Sequence, residues 1–317
     1  MSILSIDFGG TRTRAAWFSP QLEMLARHET LSRVDRSVAE VIDTLIQTAR
    51  AVVPADQTPA VIGVCAPGPL DPLAGVIKRA ETLPGWQNVH LAQLISSAFN
   101  DMPTFVQNDG NLGALAEYRF GSLLGADPAI FMTISTGIGG GAILNGKLFS
   151  GSGGLAIEPG HLRIAHRDGK LYRLEELASG TALGVWAQRK LAESDQTSLL
   201  RSASVVDGKA VGAAAQSGDP FALEIVAQAG YWLGVGIANL LHLFNPQGIA
   251  LGGSVTRLGD LLLEPTRRAI QANLIDAALY HDDLIRYAAL GENACLQGAA
   301  LYALGSLNGD YNNNAGG

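Results

Sequence analysis

One pattern constrains this chain more than any other, because it occurs twice. The stretches "SILSIDFGGTRTRAAWF" (residues 2–18) and "AIFMTISTGIGGGAILNGKLF" (residues 129–149) each read as a buried-type strand, a glycine-rich bend and a returning strand. Later in each copy comes helical periodicity and then a strand that ends in a turn of small residues. In the first copy these are "SVAEVIDTLIQTARAVV" and "AVIGVCAPGP"; in the second they are "DPFALEIVAQAGYWLGVGIANLLHLFN" and "PQGIALGGSV". A duplicated module of this kind predicts a mixed α/β protein of two similar lobes with a cleft between them.

The remaining segments fit that plan. "HLAQLISSAF" and the stretch opening at "NDGNLGALAEYRFG" read as helices, as do the segments from about Leu258 to Ile275 and from Ala294 to Leu307; "PTFVQ" and "LIRYAAL" read as strands. Asp219 is placed to cap the long apolar helix, with Pro220 at its first position, and a helix apolar on nearly every side must be heavily buried. With 317 residues and 47% hydrophobic content the chain has enough apolar material for two domains. The expected division is 1–122 as a smaller N-terminal lobe completed by the helix 294–307, 123–293 as a larger lobe, and 308–317, "NGDYNNNAGG", as a disordered tail.

Charge and cysteine content exclude several classes. A net charge of −7 disfavours a nucleic-acid binder, although backbone amides can still hold a small anion. Cys65 and Cys295 cannot form a disulfide framework or a four-thiolate metal site, and each lies in an apolar stretch that reads as core. Asp7 interrupts the first apolar run, and Asn239 and His242 interrupt the longest one, so a soluble, cytoplasmic protein without membrane contact is expected.

The second bend resembles a damaged P-loop. Gly141, Gly146 and Lys147 have Walker A spacing, with Leu148 where a Ser or Thr should stand. A P-loop must join a strand to a helix, whereas "AILNGKLF" has alternating character around Asn145-Gly146, a hairpin signal. Gly146 and Lys147 are therefore read as a β-turn. "GIGGGA" opens no helix and is not a dinucleotide fingerprint. What remains is "STGIGGG", a bend whose free backbone N–H groups can surround an oxyanion, with Ser135 and Thr136 adding hydroxyls. The first bend, "DFGGT", has the same character.

"IDFGGTRTRAAW", "QNDGNLGALAE", "ISTGIGGGAILNGKLFSG", "IEPGH", "LEELASGTALG" and "IALGGSV" occur in the order and spacing of the ROK family (repressors, open reading frames and kinases), and the chain resembles that family from about Ile3 to Leu304. The resemblance implies an α/β fold of two actin-like (ribonuclease H-like) lobes enclosing a nucleotide and sugar cleft. It implies an ATP- and Mg²⁺-dependent hexose kinase acting on the primary (6-) hydroxyl, with glucose the first expectation and N-acetylmannosamine, N-acetylglucosamine or fructose behind it. Asp7, Gly9, Gly10 and Thr11 match the first phosphate motif, in which the Asp orients hydrated Mg²⁺. Thr136, Gly137, Gly139 and Gly140 match the second, and Gly252 and Gly253 match the adenosine-side glycines, for which a plain β-to-α turn is the rival reading. Asp109 matches the catalytic base, against the rival reading of a helix N-cap. Asn108, Glu158, His161 and Glu175 match sugar-contacting positions, and Gly68 in "APGP" offers a backbone contact. "TLPGWQNV" is similar to a lid segment, with Trp86 either its packing anchor or ordinary core.

Three departures stand out. Family members commonly follow the Glu-x-Gly-His motif with a cysteine-rich zinc segment; here "LRIAHRDGKLYRLEE" has no cysteine, so no zinc is expected and His166 is too isolated to restore a site. Thr82 replaces an Asn frequent in glucose-directed members, and Ile157 stands where a small residue usually precedes the Glu. The first phosphate motif begins at Asp7, which leaves a DNA-binding repressor without its helix-turn-helix in this sequence. A catalytically silent sugar sensor is the alternative of another class. The partners expected are a sugar and ATP, with no nucleic acid and with a homodimer as the family implies. The residues leave open the hexose and whether ATP or polyphosphate is the donor.

Overall fold

The computed structural model describes residues 2–80, 83, 85–167 and 169–311, with the side chains of His166 and Arg167 left aside. The chain forms two compact units: Met1–Leu124, Gly141–Ile157 and Leu290–Gly317 make the first, and Gly125–Gly140 and Glu158–Ala289 the second. Relative to the division read from sequence, residues 141–157 group with the first unit.

In the first unit β1 (Ile3–Phe8), β2 (Arg12–Phe18) and β3 (Met24–Leu31) form an antiparallel meander. Then come α1 (Val38–Arg50), β4 (Val61–Cys65), a small sheet of β5 (Leu70–Asp71), β6 (Val76–Arg79) and β7 (Gln87–Val89), α2 (Leu91–Ala98), β8 (Thr104–Gln107) and α3 (Asp109–Phe120). α1 starts at Ser37 because Ser37 and Glu40 form a reciprocal capping box, a device that stabilises a helix by about 1 kcal/mol. The two-residue period of the strands gives the sheet two apolar faces. Leu4, Ile6, Phe8, Ala15 and Trp17 join a core with α1 and α2. Ile3, Ala16, Phe18 and Val61 face the C-terminal helix α9 (Ala294–Asn308) through Leu296, Ala300 and Ala303. β4 and α9 approach so closely that a Cβ on Gly63 would lie 2.0 Å from the Ala299 carbonyl oxygen.

The chain then forms β9 (Ala129–Ile134), β10 (Ile138–Leu144), within which the boundary between units falls, and β11 (Lys147–Leu148). The second unit continues with β12 (Arg163–Arg167), β13 (Lys170–Arg173), α4 (Leu174–Ala178), α5 (Gly180–Glu193), α6 (Gly208–Gln216), α7 (Pro220–Phe244), β14 (Gly248–Gly252), α8 (Asp260–Ala272) and β15 (Ile285–Tyr287). The main sheets have one strand order twice, β3-β2-β1-β4-β8 and β11-β10-β9-β14-β15. In each the first and fourth strands of the copy, and the fourth and fifth, pair in parallel. The duplication read from sequence is therefore a duplication of topology.

Asn145 (φ 53°) and Gly146 (φ 71°) form the two-residue turn between β10 and β11, with Leu144 opposite Lys147, so the P-loop reading is excluded. Asp219 caps α7 through Phe221 N–H (2.9 Å) and Ala222 N–H (3.1 Å). Of the described helices, α7 alone is long and apolar enough to cross a membrane by length and composition, and it packs as a core helix. Its Gly230 and Gly234 lie against the Leu262 and Thr266 carbonyls of α8. At the C-terminus packing extends beyond the expected limit: Tyr311 stacks on Tyr302 at 5.2 Å, while residues 312–317 lie outside those described.

Candidate active site

In the first unit Asp7 is the penultimate residue of β1, opposite Arg14 on β2 and Cys65 on β4. It is buried, and its Oδ2 accepts a hydrogen bond from Arg14 Nη1 at 3.1 Å. Burial raises its pKa above the usual carboxylate value more than Arg14 lowers it, and the charge of Asp109 adds to the rise. The following bend is held from below: Gly9 N–H donates to Arg12 O (3.1 Å), Ser32 Oγ donates to Gly9 O (2.6 Å), and Ser32 N–H donates to Thr11 O (3.0 Å). Ser32, fully buried, was not visible as a site residue in the sequence, since its partner is a backbone 23 residues away. Gly10 and Thr11 remain exposed, and a Cβ built on Gly10 meets no protein atom within 4 Å. Gly68 is also exposed, with only Leu70 N at 3.7 Å from such a Cβ.

Asp109 is the first residue of α3, and the N-cap is its neighbour. Asn108 Oδ1 accepts from Asn111 N–H at 2.8 Å, which assigns the cap to Asn108 and removes the rival reading of Asp109. The Asn108 side chain retains its Nδ2 as a donor. Asp109 Oδ1 accepts only a short-range bond from Gly110 N–H, 2.9 Å. The residue is exposed, and partial desolvation by the surrounding protein raises its pKa, partly offset by the N–H groups of Gly110 and of Asp109 itself. Behind it, Gly141 is required by packing, because a Cβ there would lie 2.6 Å from Gly110 O. Trp86 is core: it is buried against Phe8, ring centroids 4.8 Å apart. Thr82 lies outside the described residues.

In the second unit, the bend after β9 is fixed through its carbonyls. Gly180 N–H donates to Ser135 O (2.7 Å) and Thr181 Oγ1 donates to Thr136 O (2.8 Å), so the start of α5 seats against the bend. Thr136 is exposed and Gly137 and Gly139 are half-buried. Glu175, assigned to the sugar by resemblance, accepts from Ile138 N–H at 3.0 Å, and a Cβ on Gly137 would fall 2.3 Å from its Oε2. Gly140 is a packing glycine, with Phe131 O and Pro159 Cγ within 2.9 Å of a Cβ there. Gly160 lies on the Ile138 carbonyl (2.1 Å), which seats the turn Pro159–His161 on the same bend and leaves Glu158 and His161 exposed beside it. Ile157, just before them, has φ +61°, a left-handed conformation costly for a β-branched residue.

Next to the bend is a pocket of about 620 Å³, lined by Thr136, Thr181, Gln188, Asp207, Lys209, Ser254 and Arg257 with Leu183, Val185, Val255 and Leu258. Gly252 and Gly253 are not part of its lining. Gly253 has φ +94°, and a Cβ there would lie 2.3 Å from Ile134 O, so the pair makes the turn that delivers Ser254 and Val255. The contributions of α5 and α6 to this pocket were missed in the sequence because their residues carry no glycine motif. The segment that departs from the zinc motif folds as the β12–β13 hairpin, turned at Gly169. It is pinned to α4 by Glu176, which accepts from Arg173 N–H (2.9 Å) and Lys170 Nζ (2.9 Å), bonds that lower its pKa to about 2.

Two sheets of one repeated order, each with a glycine bend after its first strand, define the two-lobed, actin-like sugar-kinase fold. The chain belongs to the ROK family, whose model matches residues 3–306. It is 30% identical to the glucokinase of Halalkalibacterium halodurans over 285 residues, covering 85% of each chain. Among solved structures it is similar to a ROK family glucokinase from Streptomyces griseus in complex with glucose and AMPPNP, with a TM-score of 0.80, 30% identity, and 96% and 99% of the two chains covered. The ROK hexokinase from Thermus thermophilus gives a TM-score of 0.78 at 30% identity, covering 98% and 100%.

Proposed function

We propose that this chain is an ATP-dependent hexose kinase that phosphorylates the primary hydroxyl of its sugar, with glucose the first substrate to test. The observation that carries the reading is the placement of Asp109: Asn108, not Asp109, caps α3, so the exposed Asp109 carboxylate at the mouth of the helix makes only a local bond to Gly110 N–H and can face a ligand. The glucokinase and hexokinase relatives support the same chemistry.

Phosphoryl transfer needs positioning and charge stabilisation more than covalent help from the protein. As the sugar oxygen attacks the γ-phosphorus, its proton passes to the Asp109 carboxylate and ADP leaves. The raised pKa of Asp109 makes it a better proton acceptor than an ordinary surface carboxylate. Asn108 Nδ2, Glu158 and His161 offer the donors and acceptors that sugar hydroxyls require, and Glu175 has one oxygen beyond the one used by Ile138. The open space over Gly10 suits close approach of a phosphate to the backbone, and the pocket beside Thr136 suits the nucleoside. Asp7 is one carboxylate with Oδ2 shared with Arg14, a donor set that fits Mg²⁺ held through water rather than in a protein cage. Mg²⁺ there would neutralise charge on the phosphate oxygens. A cytoplasmic location and a homodimer belong to the same reading.

The test is ADP formation across a panel of glucose, N-acetylmannosamine, N-acetylglucosamine and fructose, with native protein and Asp109→Asn. Loss of the base should lower kcat by about 10²-fold or more. Turnover within about tenfold of native would remove Asp109 from that role. Absence of turnover with every sugar, together with thermal stabilisation by one of them, would instead identify a sugar sensor.

A further inference from the structure

The two cysteines, far apart in sequence, meet under Asp7. Gly63 and Cys65 point to the same face of β4, two residues apart; Ala299 and Cys295 lie one helical turn apart on α9. Two residues of strand span about 6.7 Å and four of helix about 6 Å, so the pairing of Gly63 with Ala299 carries Cys65 to Cys295. Across the parallel pair β1 and β4, Cys65 is the partner of Asp7. One Asp7 oxygen and the two sulfurs all lie within 4.8 Å of one another.

We propose that Asp7, Cys65 and Cys295 form a binding site for a soft divalent cation of the Zn²⁺ or Cd²⁺ class. Two thiolates and a carboxylate suit such an ion in tetrahedral geometry, with water in the fourth position. Magnesium, a hard ion that prefers oxygen, does not compete for the sulfurs. On binding, each thiol loses its proton to solvent as its sulfur–metal bond forms. A cation of charge +2, two thiolates and one carboxylate sum to −1, the charge Asp7 alone presents to Arg14 beforehand, so the ion pair with Arg14 need not be dismantled. Asp7 and Cys65 are buried and Cys295 is half-buried, which places the entry at Cys295. The site lies in the first unit, whereas the segment in which relatives carry zinc-binding cysteines is the β12–β13 hairpin of the second. Resting on the kinase reading, a further consequence follows: an Asp7 oxygen held by the soft ion is withdrawn from hydrated Mg²⁺, and turnover falls.

The probe is Cd²⁺ added to the whole, reduced protein, followed by the ultraviolet thiolate-to-cadmium absorption band and, in parallel, by ADP formed from ATP and glucose, read by chromatography. Native protein should take up one equivalent with the band. Cys65→Ser and Cys295→Ser should each lose the band, and Cys295→Ser alone suffices should the buried serine prevent folding. Native turnover should fall at least tenfold as the band saturates and return when a dithiol removes the metal; turnover of the serine variants, relative to their own metal-free value, should not respond. No band, or a band retained in both variants, overturns the site. A band that depends on the cysteines while turnover is unchanged overturns its link to Asp7. Failure of metal-free native protein to phosphorylate any sugar counts against the kinase reading alone, because the absorption measurement does not depend on it.

Discussion

Gly10→Ala separates a glycine kept for the fold from one kept for a ligand. Gly10 is exposed, is not among the residues with positive φ, and offers an added Cβ no protein atom within 4 Å. Alanine therefore introduces no strain in the folded state and narrows the unfolded one, so stability should be unchanged or raised by up to about 1 kcal/mol. If the γ-phosphate approaches the backbone at this bend, the methyl group occupies its space. Loss of one well-placed donor to a developing oxyanion costs about 10²–10³-fold, or about 3–4 kcal/mol of transition-state stabilisation. The assay is kcat/KM for ATP at saturating glucose, beside urea unfolding of the same sample. Gly63→Ala is the counter-example: its Cβ would lie 2.0 Å from Ala299 O, and overpacking of that kind should cost about 1–3 kcal/mol or more of stability. A Gly10→Ala protein as stable as native with kcat/KM within about threefold would refute the phosphate role of the first bend. Gly137→Val is a poorer probe, because Glu175 already occupies the space its side chain needs.

Two further outcomes test the surroundings of the site. At Ile157, held at φ +61°, Ile157→Gly should exceed Ile157→Ala in stability by about 1 kcal/mol, the reverse of the order at ordinary positions, since only glycine escapes the left-handed penalty; alanine equal to or better than glycine in chemical denaturation would reject the strain. Glu176 has its folded-state pKa lowered from 4.5 to about 2, so its stabilisation is present above about pH 4.5 and is lost as pH falls through about 2. With the side chain a quarter exposed, solvent screening limits the effect to about 1 kcal/mol, and the stability gap between native and Glu176→Gln should narrow over that pH window. A gap that does not change with pH would assign the loss to packing.

The duplicated strand–bend–strand module was legible because glycine and apolar alternation are local signals, and the same is true of the Asn145-Gly146 turn and the Asp219 cap. β3 was not, since "MLARHETL" is an edge strand whose burial alternates only weakly. The resemblance supplied the positions matched to ligands, but not the work each does in the fold. Gly140, Gly141 and Gly160 are demanded by neighbouring backbone or by Pro159, whereas Gly10 and Gly68 are not, and only coordinates separate these cases. Ser32, the α6 side of the pocket beside Thr136 and the meeting of Cys65 with Cys295 depend on distant partners, which no window along the chain can reveal.

The position of α9 has a consequence for how the protein is made. Ile3, Ala16, Phe18 and Val61, synthesised some 230 residues or more before α9, find their cover in Leu296, Ala300 and Ala303. The second unit, residues 125–140 and 158–289, emerges from the ribosome before that cover exists. The first unit is thus completed only after the second has been made, and until α9 is synthesised one face of its sheet is an uncovered apolar surface of the kind chaperones hold.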